Sequence, residues 1–231
     1  MCRFKSGIIF KGRSVVSPGE NDSHSDLLEE LGVEDTQANA MTKFVRAELL
    51  PPNDEWWTDP DSWKMHVDQD IVPDWFDLDR EKYEQEFREA VKAWWNKHVL
   101  VDQKIEELNS GYYRLKRCEV KRLCNDVRVL LDESQVGVMR ESSQVGEMWG
   151  SSQVGVMWGS SQVGEMRESS QVGEMWGRSQ VGEMWGSSQV GVMWGSSTAR
   201  DFKEYPKVKI MIPDDGNFEL IRKPKEEKQD E

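Results

Sequence analysis

Residues 142–159 read SSQVGEMWGSSQVGVMWG, which is two head-to-tail copies of the nine-residue unit Ser-Ser-Gln-Val-Gly-x-Met-x-x. A fixed short period is typical of a solenoid, in which each unit buries its apolar side chains against its neighbours. We therefore predict a parallel β-solenoid, of the β-helix or β-roll kind. The alternative is a disordered low-complexity tract, which is disfavoured because one Val and one Met return in every unit. The glutamine marks seven clean copies, at Gln135, Gln144, Gln153, Gln162, Gln171, Gln180 and Gln189.

The variable positions of the unit indicate which side chains face the core. The residue after Gly is Val or Glu, and the residue after Met is Trp or Arg. A position that accepts a charge is not a packed core position, so Val and Met are predicted to point inward. Residues three apart lie on opposite faces of a pleated strand, so the intervening Gly must break the pleat as a bulge or bend. The Ser and Gln side chains are expected to form stacked hydrogen-bond ladders at the turns.

The number of units in one coil can be read from the residue after Gly. Alternate units carry Glu147, Glu165 and Glu183 on one side, and Val138, Val156, Glu174 and Val192 on the other. This alternation favours two units, or eighteen residues, per coil. The two arginines of the Trp position, Arg140 and Arg167, are three units apart and indicate three instead. We favour two, which gives about five coils at the roughly 4.8 Å spacing of parallel strands.

The array extends beyond the clean copies as a pair of apolar residues three apart. In steps of nine, Val127 with Leu130 precedes the first clean copy, and Ala199 with Phe202 and Val208 with Met211 follow the last. Val120 with Leu123 is read as one more imperfect turn. Degenerate units of this kind cap the open ends of a solenoid. The solenoid is therefore placed at residues 113–212, and residues 213–231 are expected to be a strand remnant with a disordered, charged tail.

Residues 1–112 are predicted to form an α+β head domain. Strands are expected at residues 8–10, 15–16, 43–50 and 63–68, a short helix at 25–32, and a turn at 73–76. The longest element is a helix over about 79–109, because Tyr83, Phe87, Val91 and Trp94 recur at helical spacing and His98, Val101, Ile105 and Leu108 continue the series.

Composition narrows the class of function. The formal net charge is −13 and the sequence pI is about 4.8, which opposes general binding to nucleic acid or to an anionic membrane. The three cysteines, Cys2, Cys118 and Cys124, are odd in number and loosely spaced, as is typical of reduced thiols in a cytoplasmic protein. Neither an apolar leader segment nor a run of roughly 20 apolar residues is apparent, so the cytoplasm is the expected location.

The candidate binding residues are the repeated outward side chains. One or two files of indoles should run along the solenoid, together with a column of carboxylates at Glu147, Glu165 and Glu183. An exposed aromatic file suggests contact with a protein partner or a homodimer, and the alternative is that the rings stack on one another and shield the core. The Ser-Ser-Gln turn lacks the Asp of calcium-binding solenoids, so calcium is not expected, and neither is another metal or a cofactor. The indoles belong to Trp149, Trp158, Trp176, Trp185 and Trp194.

One polar cluster in the sequence has the residue types of a catalytic site. Asp22, His24 and Asp26 place an imidazole between carboxylates, which suits acid–base catalysis or metal binding. A polar loop that caps the following helix is the favoured interpretation. The acidic run at 68–79 is interpreted as a solvated face. The chain carries no phosphate-binding, dinucleotide-binding or nucleophile-elbow motif, so an enzyme is the less favoured class.

Several segments resemble a family of uncharacterised proteins from gut bacteria and their phages. The resemblance lies in Met1–Gly7, Asn21–Leu28, Phe44–Leu49, Val67–Phe76 and Ser197–Phe202. In that family a similar front domain precedes repeat arrays of differing length, which implies a phage- or mobile-element-associated protein without an assigned activity. A looser similarity in style connects the array to pentapeptide-repeat solenoids, some of which are acidic DNA mimics.

These observations give three ordered expectations of function. The first is a non-enzymatic binding or assembly module that presents Trp and Glu files on a rigid solenoid. The second is an acidic inhibitor that mimics nucleic acid and blocks a host defence or nucleic-acid enzyme. The third is an enzyme with a site near His24 in the front domain.

Overall fold

The computed structural model describes residues 5–19, 21–201 and 219–222. The chain divides into two compact units, Met1–His98 and Val99–Glu231. The predicted fold class is confirmed, because a small α/β region is followed by a parallel β-solenoid. The second unit begins earlier than the boundary predicted at 112/113.

The first unit is built on a four-stranded antiparallel sheet in the order β2-β1-β3-β4. Strands β1 and β2 form the expected hairpin, in which Gly12 takes the positive φ of 89° that the tight turn requires. The strands span Lys5–Phe10 (β1), Arg13–Val16 (β2), Phe44–Leu50 (β3) and Lys64–Val67 (β4).

Helices cover both faces of this sheet. Alternate residues of β1 point to opposite sides, so Ile8 packs with Leu28 and Phe44, whereas Ile9 packs in a separate cluster with Phe87 and Val91. The side-chain oxygen of Ser23 caps the first helix by accepting a hydrogen bond from the backbone of Asp26. The helices span His24–Glu30 (α1), Gln37–Ala40 (α2), Asp74–Leu78 (α3) and Arg80–His98 (α4).

Two predictions for this region are wrong. The turn expected at 73–76 begins a short helix, α3. The long helix ends at His98, and residues 99–109 belong to strands. The prediction was wrong for Ile105 and Leu108 because apolar residues three apart are compatible both with one face of a helix and with the inward pair of this solenoid. The strands after His98 are Val99–Val101 (β5) and Lys104–Lys116 (β6).

The second unit is a stack of parallel strands on two faces. Each strand of the repeat pairs with the strand eighteen residues away, as Gln153 does with Gln135 and with Gln171, so two nine-residue units make one coil, as predicted. The strand order along the unit is β14-β12-β10-β8-β7-β9-β11-β13-β15-β16. The strands are Glu119–Asp132 (β7), Gln135–Met139 (β8), Gln144–Trp149 (β9), Gln153–Met157 (β10), Gln162–Met166 (β11), Gln171–Met175 (β12), Gln180–Met184 (β13), Gln189–Met193 (β14), Thr198–Asp201 (β15) and Glu219–Arg222 (β16).

The core of the solenoid is the predicted Val-x-x-Met pair. Every Val and Met of the seven clean copies is at most 2% exposed. The Gly between them is where the pleat breaks, since the pairing register passes from Val154 to Val156 and omits Gly155. A Cβ on Gly155 would lie 2.6 Å from the carbonyl oxygen of Gly137 in the preceding coil, so neighbouring coils approach each other closely along this glycine column.

The first coils of the solenoid contain fewer residues than the predicted eighteen. The pairing offset is 15 residues between Lys104 and Glu119, 16 between Glu119 and Gln135, and 18 between Gln135 and Gln153. Val120 and Leu123 align with a Val and a Met, as expected. The nine-residue register does not extend to Val127 and Leu130, however, because Val129 and Leu131 occupy those core positions. The corner in this coil is shorter than in the repeat, so counting back in steps of nine residues from the clean copies no longer reaches the core positions.

The trailing register is confirmed where the structure describes it. Ala199 aligns with Val181 and is fully buried. The predictions for Phe202, for Val208 with Met211, and for the tail beyond Arg222 lie outside the described residues.

Each coil turns at two corners that require a left-handed residue. The glycine of five Trp-Gly corners has a φ between 64° and 74°. In the two corners where Arg replaces Trp, Glu141 and Glu168 take its place at φ values of 60° and 56°. The Glu168 carboxylate accepts a hydrogen bond from the backbone N–H of Gly150, one coil back, at 2.6 Å, which offsets the strain of a side chain in this conformation.

Candidate functional site

The parallel register separates the predicted surface residues into two files on opposite faces. Strands β8, β10, β12 and β14 are followed by what we call the Trp file, in which Trp158, Trp176 and Trp194 follow Arg140. Strands β9, β11 and β13 carry the Trp–Arg file, which consists of Trp149, Arg167 and Trp185. The sequence left open whether the indoles form one file or two, and the eighteen-residue coil places them in two.

The three indoles of the Trp file stack on one another. The rings of Trp158 and Trp176 are 5.1 Å apart at 10°, and those of Trp176 and Trp194 are 4.7 Å apart at 9°. Both faces of the central ring are therefore covered, and the outward part of the file is a row of ring edges. Trp158 is still 46% exposed.

The Trp–Arg file places a guanidinium between two indoles. The Arg167 Cζ lies 4.6 Å from the ring centroid of Trp149 and 5.9 Å from that of Trp185, which is cation–π geometry on both sides. The same guanidinium donates to the carboxylate of Glu165 at 2.6 Å. Arg167 thus continues the aromatic stack and also supplies a positive charge to the acidic column beside it.

The carboxylates of the predicted column lie on adjacent strands, and each of them accepts a hydrogen bond. Glu147, Glu165 and Glu183 align in register on adjacent strands, where like charges at strand spacing repel. Glu147 accepts from the indole N–H of Trp149 at 2.7 Å, and Glu183 accepts from Trp185 at 3.2 Å. Together with the Arg167 pair, these bonds reduce the free acidity that the column presents.

The opposite face has a mainly apolar column at the equivalent position. Val138, Val156 and Val192 lie in register, with Glu174 between the second and the third. The Glu174 carboxylate accepts from the indole N–H of Trp176 at 2.9 Å. The valines are half-buried, and with the indoles of the Trp file they form what we call the Val–Trp stripe.

The second serine of the unit points into the solenoid, which the sequence did not indicate. Ser134 and its seven equivalents up to Ser197 are fully buried. Six of these hydroxyl oxygens have no hydrogen-bond partner among the described residues. The serine part of the predicted ladder at the turns is therefore wrong. A small side chain is needed here because the two strand faces converge at the corner.

In the first unit, the structure does not assemble the predicted cluster of Asp22, His24 and Asp26. Asp22 forms an ion pair with the buried Lys5 at 2.8 Å, and Asp26 accepts from the side chain of Asn21. The buried His24 points toward the sheet, where its Nε2 meets the carbonyl oxygen of Ala47, while both aspartates take other partners.

His24 instead meets two carboxylates that are distant in sequence. Its Nδ1 lies 3.3 Å from a carboxylate oxygen of Asp68. One ligand atom from each of His24, Glu48 and Asp68 lies within 4.8 Å of the other two. Glu48 is on β3 and Asp68 follows β4, so only the pairing of these two strands brings them together. Asp68 was part of the predicted acidic run, whereas nothing in the sequence distinguished Glu48.

The cysteines of the second unit are free thiols. Cys118 is buried and donates from Sγ to the carbonyl oxygen of Leu100 at 3.2 Å. Burial raises the pKa of the Cys118 thiol and also that of the Cys124 thiol. Cys2 lies outside the described residues.

Within the described residues, no helix has the length and apolar content needed to cross a bilayer. The chain matches no protein-family model, no curated protein and no solved structure.

Proposed function

We propose that the protein is a non-enzymatic binding and assembly module that self-associates through the Val–Trp stripe of its solenoid. The observation that supports this is the alignment of an apolar column beside a stacked row of indoles on one face, with Trp158 46% exposed. Exposed apolar patches of this kind mark contact sites. On the resemblance and the cysteine content alone, the proposal also includes a phage- or mobile-element-associated role in the cytoplasm.

The geometry of the stack favours a protein surface over a sugar or a nucleotide base. Those ligands bind to the open face of an aromatic ring, and both faces of Trp176 are already covered by its neighbours. The stripe instead offers ring edges and valine methyl groups in a regular row. Flat apolar packing against another regular surface is what such a row can provide.

A second copy of the chain is the partner that we favour. A two-fold axis through Trp176 would set Trp158 of one copy against Trp194 of the other, so the stripe is self-complementary in spacing. Charge permits this contact, because residues 134–197 contain only six glutamates and three arginines although the whole chain has a net charge of −13.

The small extent of the stripe predicts a weak dimer. Four strands at parallel spacing cover only about 14 Å along the solenoid. An interface built on this row falls at the low end of specific interfaces, below about 1,200 Å² of total buried surface. We therefore expect a dimer that dissociates on dilution.

Self-association is tested by replacing Trp158, Trp176 and Trp194 together with Ser and measuring the mass by sedimentation equilibrium across a concentration series. The matched control replaces Trp149 and Trp185, which lie in the other file. The wild type and the control should both show concentration-dependent dimers, and the triple variant should remain monomeric with an unchanged far-UV circular dichroism spectrum. A monomeric wild type at every concentration, or a triple variant that still dimerises, would overturn the proposal.

The column of Glu147, Glu165 and Glu183 favours a second candidate function, an acidic inhibitor of a nucleic-acid enzyme. Carboxylates repeated at strand spacing resemble a row of phosphates, although each one already accepts a hydrogen bond. This function would be supported if the protein inhibits a nuclease or a topoisomerase, if the inhibition weakens steeply with salt, and if it is lost when the three glutamates are changed to Gln. Inhibition that does not vary with salt would count against it. The third expectation, an enzyme, would require an activity that His24→Ala removes.

A further inference from the structure

The orientation of His24 is fixed by the backbone of the sheet. The imidazole is 4% exposed, and its Nε2 lies 3.1 Å from the carbonyl oxygen of Ala47. A carbonyl oxygen only accepts hydrogen bonds, so Nε2 must carry a proton. The other nitrogen, Nδ1, is thereby directed toward the Asp68 carboxylate at 3.3 Å. A backbone carbonyl that holds one imidazole nitrogen while the other faces carboxylates is the usual outer support of a metal-binding histidine.

Glu48 supplies the second reason to look for a cation. It is 4% exposed, and the described part of the chain offers its carboxylate no hydrogen bond and no ion pair apart from the His24 cluster. A carboxylate in such a position is stabilised by a nearby positive charge, which a bound cation supplies. On the neighbouring strand its register partner is Ser6, and the buried Ser6 hydroxyl likewise has no hydrogen-bond partner among the described residues.

We propose that His24, Glu48 and Asp68 bind a divalent first-row transition metal ion, with Zn²⁺ as the best-fitting probe. Bonds of about 2.1 Å in tetrahedral geometry place neighbouring ligand atoms about 3.4 Å apart. The separation of His24 Nδ1 and Asp68 Oδ2, 3.3 Å, is close to this value. The three ligand atoms lie within 4.8 Å of one another, so binding of the ion requires a modest contraction of the set toward this spacing.

The donor set selects the class of ion. One imidazole with two carboxylates suits Zn²⁺ and its neighbours in the first row, whereas Mg²⁺ and Ca²⁺ prefer oxygen ligands alone. Two negative charges and a neutral imidazole also balance the charge of a divalent ion. The Asp68 side chain is 52% exposed, so the ion can enter from that side and keep a water molecule as its fourth ligand. This proposal departs from the expectation, drawn from the sequence, that the chain holds no metal.

The site is tested by titrating chelator-treated full-length protein with Zn²⁺ in a calorimeter and measuring bound zinc by elemental analysis. The variants are Glu48→Gln and Asp68→Asn, which keep the side-chain shape and remove the charge. The matched control is Asp70→Asn, an exposed aspartate two residues from Asp68 and outside the cluster. Co²⁺ is the spectroscopic probe, because a site without cysteine gives ligand-field bands and no thiolate charge-transfer band.

The wild type and Asp70→Asn should bind one equivalent of Zn²⁺, and each cluster variant should bind at least tenfold more weakly. Mg²⁺ should not compete. Absence of saturable Zn²⁺ binding by the wild type would overturn the proposal without reference to any variant. Equal affinity in Asp68→Asn and Asp70→Asn, or a thiolate band with Co²⁺, would also overturn it. Asp68 is half exposed, so its variant is expected to fold, and circular dichroism checks this.

Discussion

Replacing Gly164 with Ala should break the stack of coils locally. The new Cβ would lie 2.5 Å from the carbonyl oxygen of Gly146, whereas ordinary contact begins near 3.4 Å. The Cβ is held rigidly by its own backbone and the oxygen is a backbone atom, so neither can move alone and the coils must separate by about 0.9 Å, the difference between 3.4 and 2.5 Å. The adjacent hydrogen bonds from Gln162 to Ser143 and from Arg167 to Met148, at 3.0 and 2.9 Å, would then exceed hydrogen-bonding distance.

The expected cost follows from these two effects. Two lost hydrogen bonds contribute about 1–3 kcal/mol, and forcing a methyl group into a packed position adds about 1–3 kcal/mol. The free energy of unfolding, measured by urea titration with Trp fluorescence and circular dichroism, should fall by about 2–6 kcal/mol.

The matched control is Gly159→Glu at a corner, because Glu141 and Glu168 already occupy equivalent positions. It should cost about 1–2 kcal/mol, because a side chain at a φ of 74° is strained, but its Cβ would lie no closer than 3.2 Å to a neighbouring atom. Equal costs for the two glycines, or a Gly164→Ala cost below about 0.5 kcal/mol, would refute the close approach of the coils.

Three further predictions concern the core. Met166→Ala should lower the free energy of unfolding by about 2–5 kcal/mol, whereas Gln162→Ala, on the surface of the same strand, should lower it by less than about 0.5 kcal/mol. Similar losses in the two variants would contradict the placement of Met166 in the core. Ser161→Ala should leave stability unchanged or raise it, because the described residues offer its buried hydroxyl no hydrogen-bond partner, and a clear loss would indicate a serine ladder. Burial raises the pKa of the Cys118 thiol in the folded chain, so its contribution to stability is complete below the unfolded-state pKa and is lost as pH rises through the folded-state pKa. Cys118→Ala should therefore reduce the fall in the free energy of unfolding above about pH 8.5. A pH profile of stability identical to that of the wild type would contradict this.

The repeat made most of the solenoid predictable. Seven copies sample the tolerance of each position, so the Val or Glu after Gly identified a surface site and the invariant Val and Met identified the core. The alternation of Glu147 and Val156 along the array was sufficient to favour two units per coil. The burial of the second serine of the unit was not predicted, because an invariant serine is expected in an exposed turn as well as in a buried corner.

The chain before the repeat was harder to interpret because its periods are ambiguous. Ile105 and Leu108, three apart, continue the apolar series of the preceding helix and also match the inward pair of a coil. Only the pairing of β6 with β7 decides between these structures. The shorter corners at Arg117 and Asn125, both left-handed without glycine, likewise shift the register without a sequence marker.

The His24 cluster shows why a site can be missed even when one of its members is noticed. Sequence proximity suggested Asp22 and Asp26 as partners. The sheet instead brings Glu48 and Asp68 to the imidazole through strands β3 and β4. Contacts of this kind depend on strand pairing, which a single sequence without repeats leaves undetermined.

Disulfide formation between pairs of introduced cysteines tests the eighteen-residue coil most directly. In a chain whose own three cysteines are changed to Ser, Gln153→Cys is combined with Gln171→Cys, with Gln162→Cys or with Gln180→Cys. Gln153 and Gln171 are register partners on adjacent strands, within the roughly 4.4–6.8 Å Cα separation that a disulfide spans, whereas the other two partners lie on the opposite face. A coil of eighteen residues predicts rapid oxidation of the 153–171 pair alone. Preferential oxidation of 153–180 would indicate three units per coil, and oxidation of 153–162 would contradict a two-faced solenoid.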